Sequence, residues 1–169
     1  NSCLAYASSY EILSNYIYNK GDTPDMYNLN VIFSSSSLLK EETREKLEKI
    51  FGCPIIDRYS NQENGILAQT KSNDQVFKVN RASYHIELLS LDSNEPAKPG
   101  ELGRIVVTDL YNHAMPIIRY DTGDLAISDD LDRQNISTLR SIQGRKIDMV
   151  YDTQGNVLTP HTISVHMKK

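Results

Sequence analysis

Tyr10, Leu13 and Ile17 recur at the spacing of one helical face, and Gly21-Asp22-Thr23-Pro24 breaks the pattern behind them. Leu29 to Phe33 is a short apolar run suited to a buried strand, and it ends in the serine run Ser34 to Ser37. Those hydroxyls suit either contact with nearby backbone or capping of the helix that follows. Glu41 to Phe51 is that helix: its first turn is acidic, Leu47, Ile50 and Phe51 form an apolar side, and Gly52 stops it. Pro54 to Tyr59 reads as the next strand. Helix, strand, helix, strand is the order of a parallel sheet covered by helices, whose ligands sit beyond the strand C-termini. Ser34 to Ser37 and Tyr59 to Glu63 both fall at such positions.

From Ile66 onward the rhythm shortens. Val76–Val79, Tyr84–Leu91, Arg104–Thr108, Pro116–Tyr120 and Leu125–Ile127 are brief apolar runs punctuated by Asn, Asp, Pro and Gly. Alternation around His85, Glu87, Leu88 and Leu89 predicts a half-buried antiparallel sheet or small distorted β-barrel. Asp129 to Asn135 is a polar loop, Thr138–Gln143 and Met149–Asp152 are expected to pair as further strands, and Thr153-Gln154-Gly155-Asn156 is a turn. The fold class expected is therefore α/β plus β. It divides into an α/β portion over 1–65, a β-rich portion over 66–143, and a terminal portion over 144–169.

Composition narrows the choice of chemistry. With 169 residues and a net charge of −4, the chain has enough apolar content for a core and no basic face for nucleic acid. Cys3 and Cys53 lie in no C-x-x-C arrangement and fit buried thiols rather than a zinc site or a disulfide framework. No apolar run is long enough to span a bilayer and no charged-then-apolar leader is present, so a cytoplasmic setting is expected. His85, His113, His161 and His166 are scattered without metal-ligand or triad spacing. Neither G-x-G-x-x-G nor G-x-x-x-x-G-K-[ST] occurs.

The richest block is Arg119-Tyr120-Asp121-Thr122-Gly123-Asp124-Leu125, followed by Gly144-Arg145-Lys146-Ile147-Asp148. Asp121 to Asp124 reads as a turn, because Gly123 tolerates positive φ and aspartates bond neighbouring backbone N–H groups. Such a turn presents Asp124 at a strand end, where its carboxylate can accept from two adjacent hydroxyls while Arg145 supplies fixed donors. The vicinal hydroxyls of a ribose fit that pair. An ordinary hairpin connection accounts for the same residues.

The order of four segments adds a family. FGCPIIDRYSNQENGILAQ, then PGELGRIVVTDL, then AMPIIRYDTGDL, then IQGRKIDMVYDTQGNVLTP resembles the adenylate-forming ligases, nearest to their phenylacetate–CoA ligase and capsule-biosynthesis branch. The resemblance implies ATP-dependent activation of a small carboxylic acid as an acyl-adenylate, with Mg²⁺, and transfer to coenzyme A. It implies ribose binding by Asp124 and Arg145, an adenine platform at Tyr59, and adenine-edge contacts along Ser35, Ser36 and Ser37. Glu63 then falls on the carboxylate associated with Mg²⁺ and phosphate, which suits a hard cation. Gln62 stands where relatives commonly hold phosphate, so it offers a hydrogen bond without charge, and Ser60 stands for the usual glycine. Ile147 occupies the hinge position, leaving Lys146 and Asp148 as polar pivots.

In the resembled family a phosphate loop lies upstream of this segment and a domain with a reactive lysine lies downstream. The chain accordingly reads as an internal segment, inactive by itself, of an adenylate-forming enzyme. Ser60, Gln62 and Ile147 also fit a second reading, a catalytically degenerate protein that binds a nucleotide or a partner in a polysaccharide-biosynthesis system.

Overall fold

A computed structural model describes residues 1–72, 74–154 and 157–158, and divides the chain into two compact units, Asn1–Phe77 and Lys78–Lys169. In the first unit, β1 (Ser2–Tyr6), β2 (Val31–Ser35) and β3 (Ile55–Asn61) run parallel, and β4 (Gly65–Gln69) returns antiparallel to β3. The first strand, Cys3 to Tyr6 after Ser2, is a short apolar run that the sequence reading passed over, and its positions are exposed or half-buried.

Helices α1 (Ala7–Lys20) and α2 (Glu41–Phe51) are the β1–β2 and β2–β3 crossovers. Right-handed crossovers between sequential neighbours put both helices on one face of the sheet. There Tyr10, Ile17, Leu47, Ile50 and Phe51 pack on Ile32 and Ile55. Each fully buried Leu or Ile contributes about 1.5–3 kcal/mol relative to exposure. The helices end at Gly21 and Gly52, both left-handed, as their αL C-caps require. The residue capping the N-terminus of α2 is Lys40, without a side-chain hydrogen bond, so the preceding serines do not cap that helix.

The second unit holds a four-stranded antiparallel sheet in the order β10-β8-β7-β6, with β6 Tyr84–Leu89, β7 Leu102–Asp109, β8 Tyr120–Ile127 and β10 Ser141–Arg145. Ile86, Leu88, Ile105, Val107, Leu125 and Leu139 are buried there. The remaining short strands are β5 (Phe77–Val79), β9 (Thr138–Leu139), β11 (Val150–Tyr151) and β12 (Val157–Leu158). Space at Gly103 is tight, because a Cβ there would meet the Leu89 carbonyl and the Ala97 Cβ, both at 3.0 Å, so a larger residue would require its neighbours to give.

Several sequence expectations are corrected. Residues 116–119 lie outside any strand: Pro116 lacks an N–H for a ladder, and Arg119 has φ 48°. Thr138–Gln143 does not pair with Met149–Asp152; β10 pairs with β8, and β11 pairs with β12. The expected turn at 153–156 reaches Gly155 and Asn156, which lie outside the described residues, as do residues 159–169 with His161 and His166.

Candidate functional site

Asp121-Thr122-Gly123-Asp124 is not a hairpin turn. It lies inside β8 as a bulge: Arg104 pairs with Leu125 and Val106 with Asp121, so Ile105 alone faces Thr122, Gly123 and Asp124. Gly123 supplies the positive φ of 76° that the bulge demands. The local side chains close it. Thr122 Oγ1 donates to Ile105 O at 3.1 Å, Asp121 Oδ1 accepts from the Gly123 amide at 3.0 Å, and Thr122 Oγ1 accepts from the Asp124 amide at 3.1 Å.

A bulge re-aims the side chain that leaves it. Asp124 is thereby turned toward β10, where a second irregularity between Ile142 and Gly144 brings Arg145 into register with it. Arg145 Nε lies 3.7 Å from Asp124 Oδ1, with side-chain exposures of 72% and 18%. The two residues are 21 apart in sequence and are joined by strand pairing. The separation is longer than a good charge-assisted hydrogen bond and the arginine is open to solvent, so the pair is loosely held and can admit a polar ligand. Its chemistry is a carboxylate acceptor beside a multidentate donor.

Two arginines support the bulge: Arg119, which opens the block in sequence, and Arg104, which sequence reading did not weigh. Arg104 pairs with Asp121 and also donates to Ser90 O at 3.0 Å, Ser93 O at 2.8 Å and Asn94 Oδ1 at 3.2 Å. Arg119 forks onto Glu87 at 3.1 and 3.2 Å, and its amide donates to Thr108 Oγ1 at 3.0 Å. After Arg145 the chain makes a 3-10 turn, Lys146–Asp148, where Ile147 is 87% exposed and Lys146 Nζ donates to Leu91 O at 2.7 Å.

The first unit carries the other candidates. Ser35 ends β2, while Ser36 and Ser37 bend away from it exposed, Ser36 at φ 71° without being glycine. Tyr59 lies within β3, not beyond its end, and is only 7% exposed; β3 continues to Asn61. Gln62 and Glu63 sit exposed on the turn between β3 and β4. The Ser35 and Ser60 hydroxyls are 3.1 Å apart, a contact joining the ends of the two parallel strands. Asn61 Oδ1 accepts from the Asn64 amide at 2.8 Å and closes the turn.

Beneath this strand end, burial pushes the Asp57 carboxyl up to about 6, against the opposing pull of Arg44, the nearby Ser34 hydroxyl and the Arg58 amide. The Ser34 hydroxyl makes no hydrogen bond of normal geometry. Among the described residues no group of three or more His, Cys, Asp and Glu side chains is arranged to hold a metal ion. That is compatible with Mg²⁺ at Glu63, since this cation is commonly held by one or two carboxylates together with substrate phosphates. Cys3 and Cys53 are free thiols, and no helix among the described residues is long and apolar enough to cross a membrane.

No family model matches the chain. It is 23% identical over 141 residues to protein CapK of Staphylococcus aureus, covering 81% of this chain and 30% of that protein. It is 28% identical over 122 residues to phenylacetate-coenzyme A ligase of Thermus thermophilus, covering 68% of this chain and 26% of the ligase. In structure it matches an open conformation of 2-hydroxyisobutyryl-CoA ligase, solved in complex with 2-HIB-AMP and CoA. The TM-score is 0.76 at 20% identity, over 97% of this chain and 40% of that one. The chain thus spans less than half the length of each of these proteins, and the structural match establishes the fold: a helix-covered parallel sheet followed by a small antiparallel sheet.

Proposed function

The sequence relatives and structural neighbours indicate the adenylate-forming acyl-CoA ligase superfamily, and from that premise we propose that the whole protein activates a small carboxylic acid with ATP. A carboxylate oxygen of the acid attacks the α-phosphorus, and the bond to the bridging oxygen breaks as pyrophosphate leaves with the electron pair. The resulting acyl-adenylate then passes its acyl group to the thiol of coenzyme A, releasing AMP. Such chemistry depends on positioning and on donors aimed at developing charge.

The observation that carries this reading is the Asp124–Arg145 pair, 3.7 Å apart on neighbouring strands of one sheet. Asp124 accepts from the ribose hydroxyls and Arg145 donates to the same ring. In the first unit, Tyr59 and Ser35 to Ser37 are assigned to adenine, Gln62 to phosphate, and Glu63 to Mg²⁺. When bound, Mg²⁺ supplies charge neutralisation at the phosphates, and Glu63 orients it from the β3–β4 turn. The stretch 144–169 serves as hinge and as the start of a further domain.

Acid-dependent ATP–pyrophosphate exchange by the full-length protein, across a panel of aliphatic and aromatic acids, tests the activity. No exchange with any acid would sink it. Calorimetry with AMP tests the site: Asp124→Ala is expected to weaken binding about tenfold or more, the worth of hydrogen bonds to a charged acceptor. The uncharged Gln62 favours one second reading, a degenerate protein that binds the nucleotide without turning it over. Measured adenylate formation eliminates it.

A further inference from the structure

Arg58 has no role in that reading, yet its surroundings are unusual for an arginine. Its guanidinium lies 3.8 Å from the centre of the Phe33 ring, which puts it on the side of the sheet away from α1 and α2. Ser35 is two residues beyond Phe33 on β2, and its contact with Ser60 puts both hydroxyls on the same side. This face is open at β1, where Leu4 and Tyr6 are 61% and 62% exposed.

The Arg58 Nε–H is buried without an acceptor among the described residues, and no carboxylate pairs with the side chain there. Asp57, its neighbour in sequence, faces the other way, toward Arg44. Stacking on Phe33 holds the guanidinium plane but leaves its hydrogen-bonding edge unused. A buried donor without an acceptor is costly and calls for a partner. The two serines add to the demand: in a hydroxyl pair one O–H is spent on the other oxygen, and the second remains available to donate. The only charge this patch offers is positive, its hydroxyls can donate to the same guest, and the fixed fork of a guanidinium matches a group with two oxygens.

We propose that Arg58, together with the Ser35 and Ser60 hydroxyls on the same side of the sheet, forms a half-buried oxyanion-binding subsite on the face of β2 and β3 away from α1 and α2. Its guest is a carboxylate or a phosphate group, the two oxyanions that acid activation brings to this protein. The identification of those two sources rests on the proposed activity, whereas the subsite itself does not. Arg58 also places a positive charge on β3 four residues before the uncharged Gln62 of the following turn, where phosphate binding otherwise has only a neutral donor.

The test is a titration of the 169-residue chain, labelled with ¹⁵N, followed through the Arg58 Nε–H resonance that Arg58→Lys identifies by its loss. Pyrophosphate and acetate are added separately, with sodium chloride matching ionic strength. One of them is expected to shift the resonance saturably, with half-saturation at about 10 mM or below, as for a charge-assisted contact on a half-buried site. The stronger responder names the source. The Ser35→Ala/Ser60→Ala variant is expected to weaken that binding about threefold or more, with its melting temperature recording that the sheet is intact. No response beyond the chloride control, or equal affinity without the serines, overturns the subsite. Absence of ATP–pyrophosphate exchange in the full-length protein would overturn the activity alone, because anion binding requires no turnover.

Discussion

Asp57 in the first unit and Asp130 in the second are both carboxylates drawn partly out of water, and their surroundings drive them in opposite directions. Burial dominates at Asp57 and raises its pKa to about 6. At Asp130 burial also pushes upward, but the amides and hydroxyls of Ser137 and Thr138 overcome it and hold the group below its usual range. The four donors approach Asp130 at 2.6 to 3.0 Å. For backbone strain the contrast is narrower. The bulge that aims Asp124 uses a glycine, Gly123, as its left-handed residue, whereas the end of β2 is followed by a left-handed serine, Ser36; Arg119, just before β8, is also left-handed without being glycine. The second unit presents Asp124 on a bulge whose hydrogen bonds and left-handed position are met locally. The strand ends of the first carry demands left open at Asp57, Ser36 and Arg58.

That comparison can be broken most decisively at Asp57. A pKa raised by folding means that its favourable contribution is complete below the unfolded value near 4 and is lost as pH rises through about 6. Asp57→Asn is expected to flatten stability across that window and to stabilise the protein by about 1–3 kcal/mol at pH 7, read from urea unfolding at several pH values. An unchanged pH profile would show that Asp57 is not the strained carboxylate it is taken to be.

Asp130 has the opposite sign. Its lowered pKa contributes stability above the unfolded value that is lost as pH falls through the folded one. Asp130→Ala should cost about 2 kcal/mol at neutral pH by stranding the Ser137 and Thr138 donors, and should remove part of the acid sensitivity. The two left-handed positions sharpen the contrast on a smaller scale. A Cβ at Gly123 meets nothing within 4 Å, so Gly123→Ala isolates conformational strain and should cost about 1–2 kcal/mol, with AMP affinity falling as Asp124 shifts. Ser36→Gly should do the reverse, a gain of about 0.5 kcal/mol once the greater freedom of unfolded glycine offsets the relief. Thermal unfolding of the two variants compares them directly.

Legibility followed the range of the interactions. The span Glu41–Phe51 could be read residue for residue because its signals are local: an acidic first turn, apolar positions on one side, and Gly52 at the stop. The end of β3 was read at Tyr59, before its true end at Asn61, because Ser60 and Asn61 are polar yet continue the strand, half-buried and paired with β4. Asp121 to Asp124 had every property of a turn. It became a bulge because β7 lies alongside and supplies the ladder, a neighbour no local pattern reveals. For the candidate site, the chemistry of Asp124 and Arg145 was legible from residue type, but their distance was not.

By itself, then, the sequence determined which segments are helical, that short strands dominate after residue 66, and that a bendable Asp-Thr-Gly-Asp block and a later arginine carry polar chemistry. Those properties reside in neighbouring residues and survive any arrangement of the chain. Only the tertiary structure decided that Arg145 stands opposite Asp124, that Arg104 braces the bulge, and that Arg58 shares a sheet face with two serines. Each depends on strand register, where a shift of one residue turns every side chain to the opposite face.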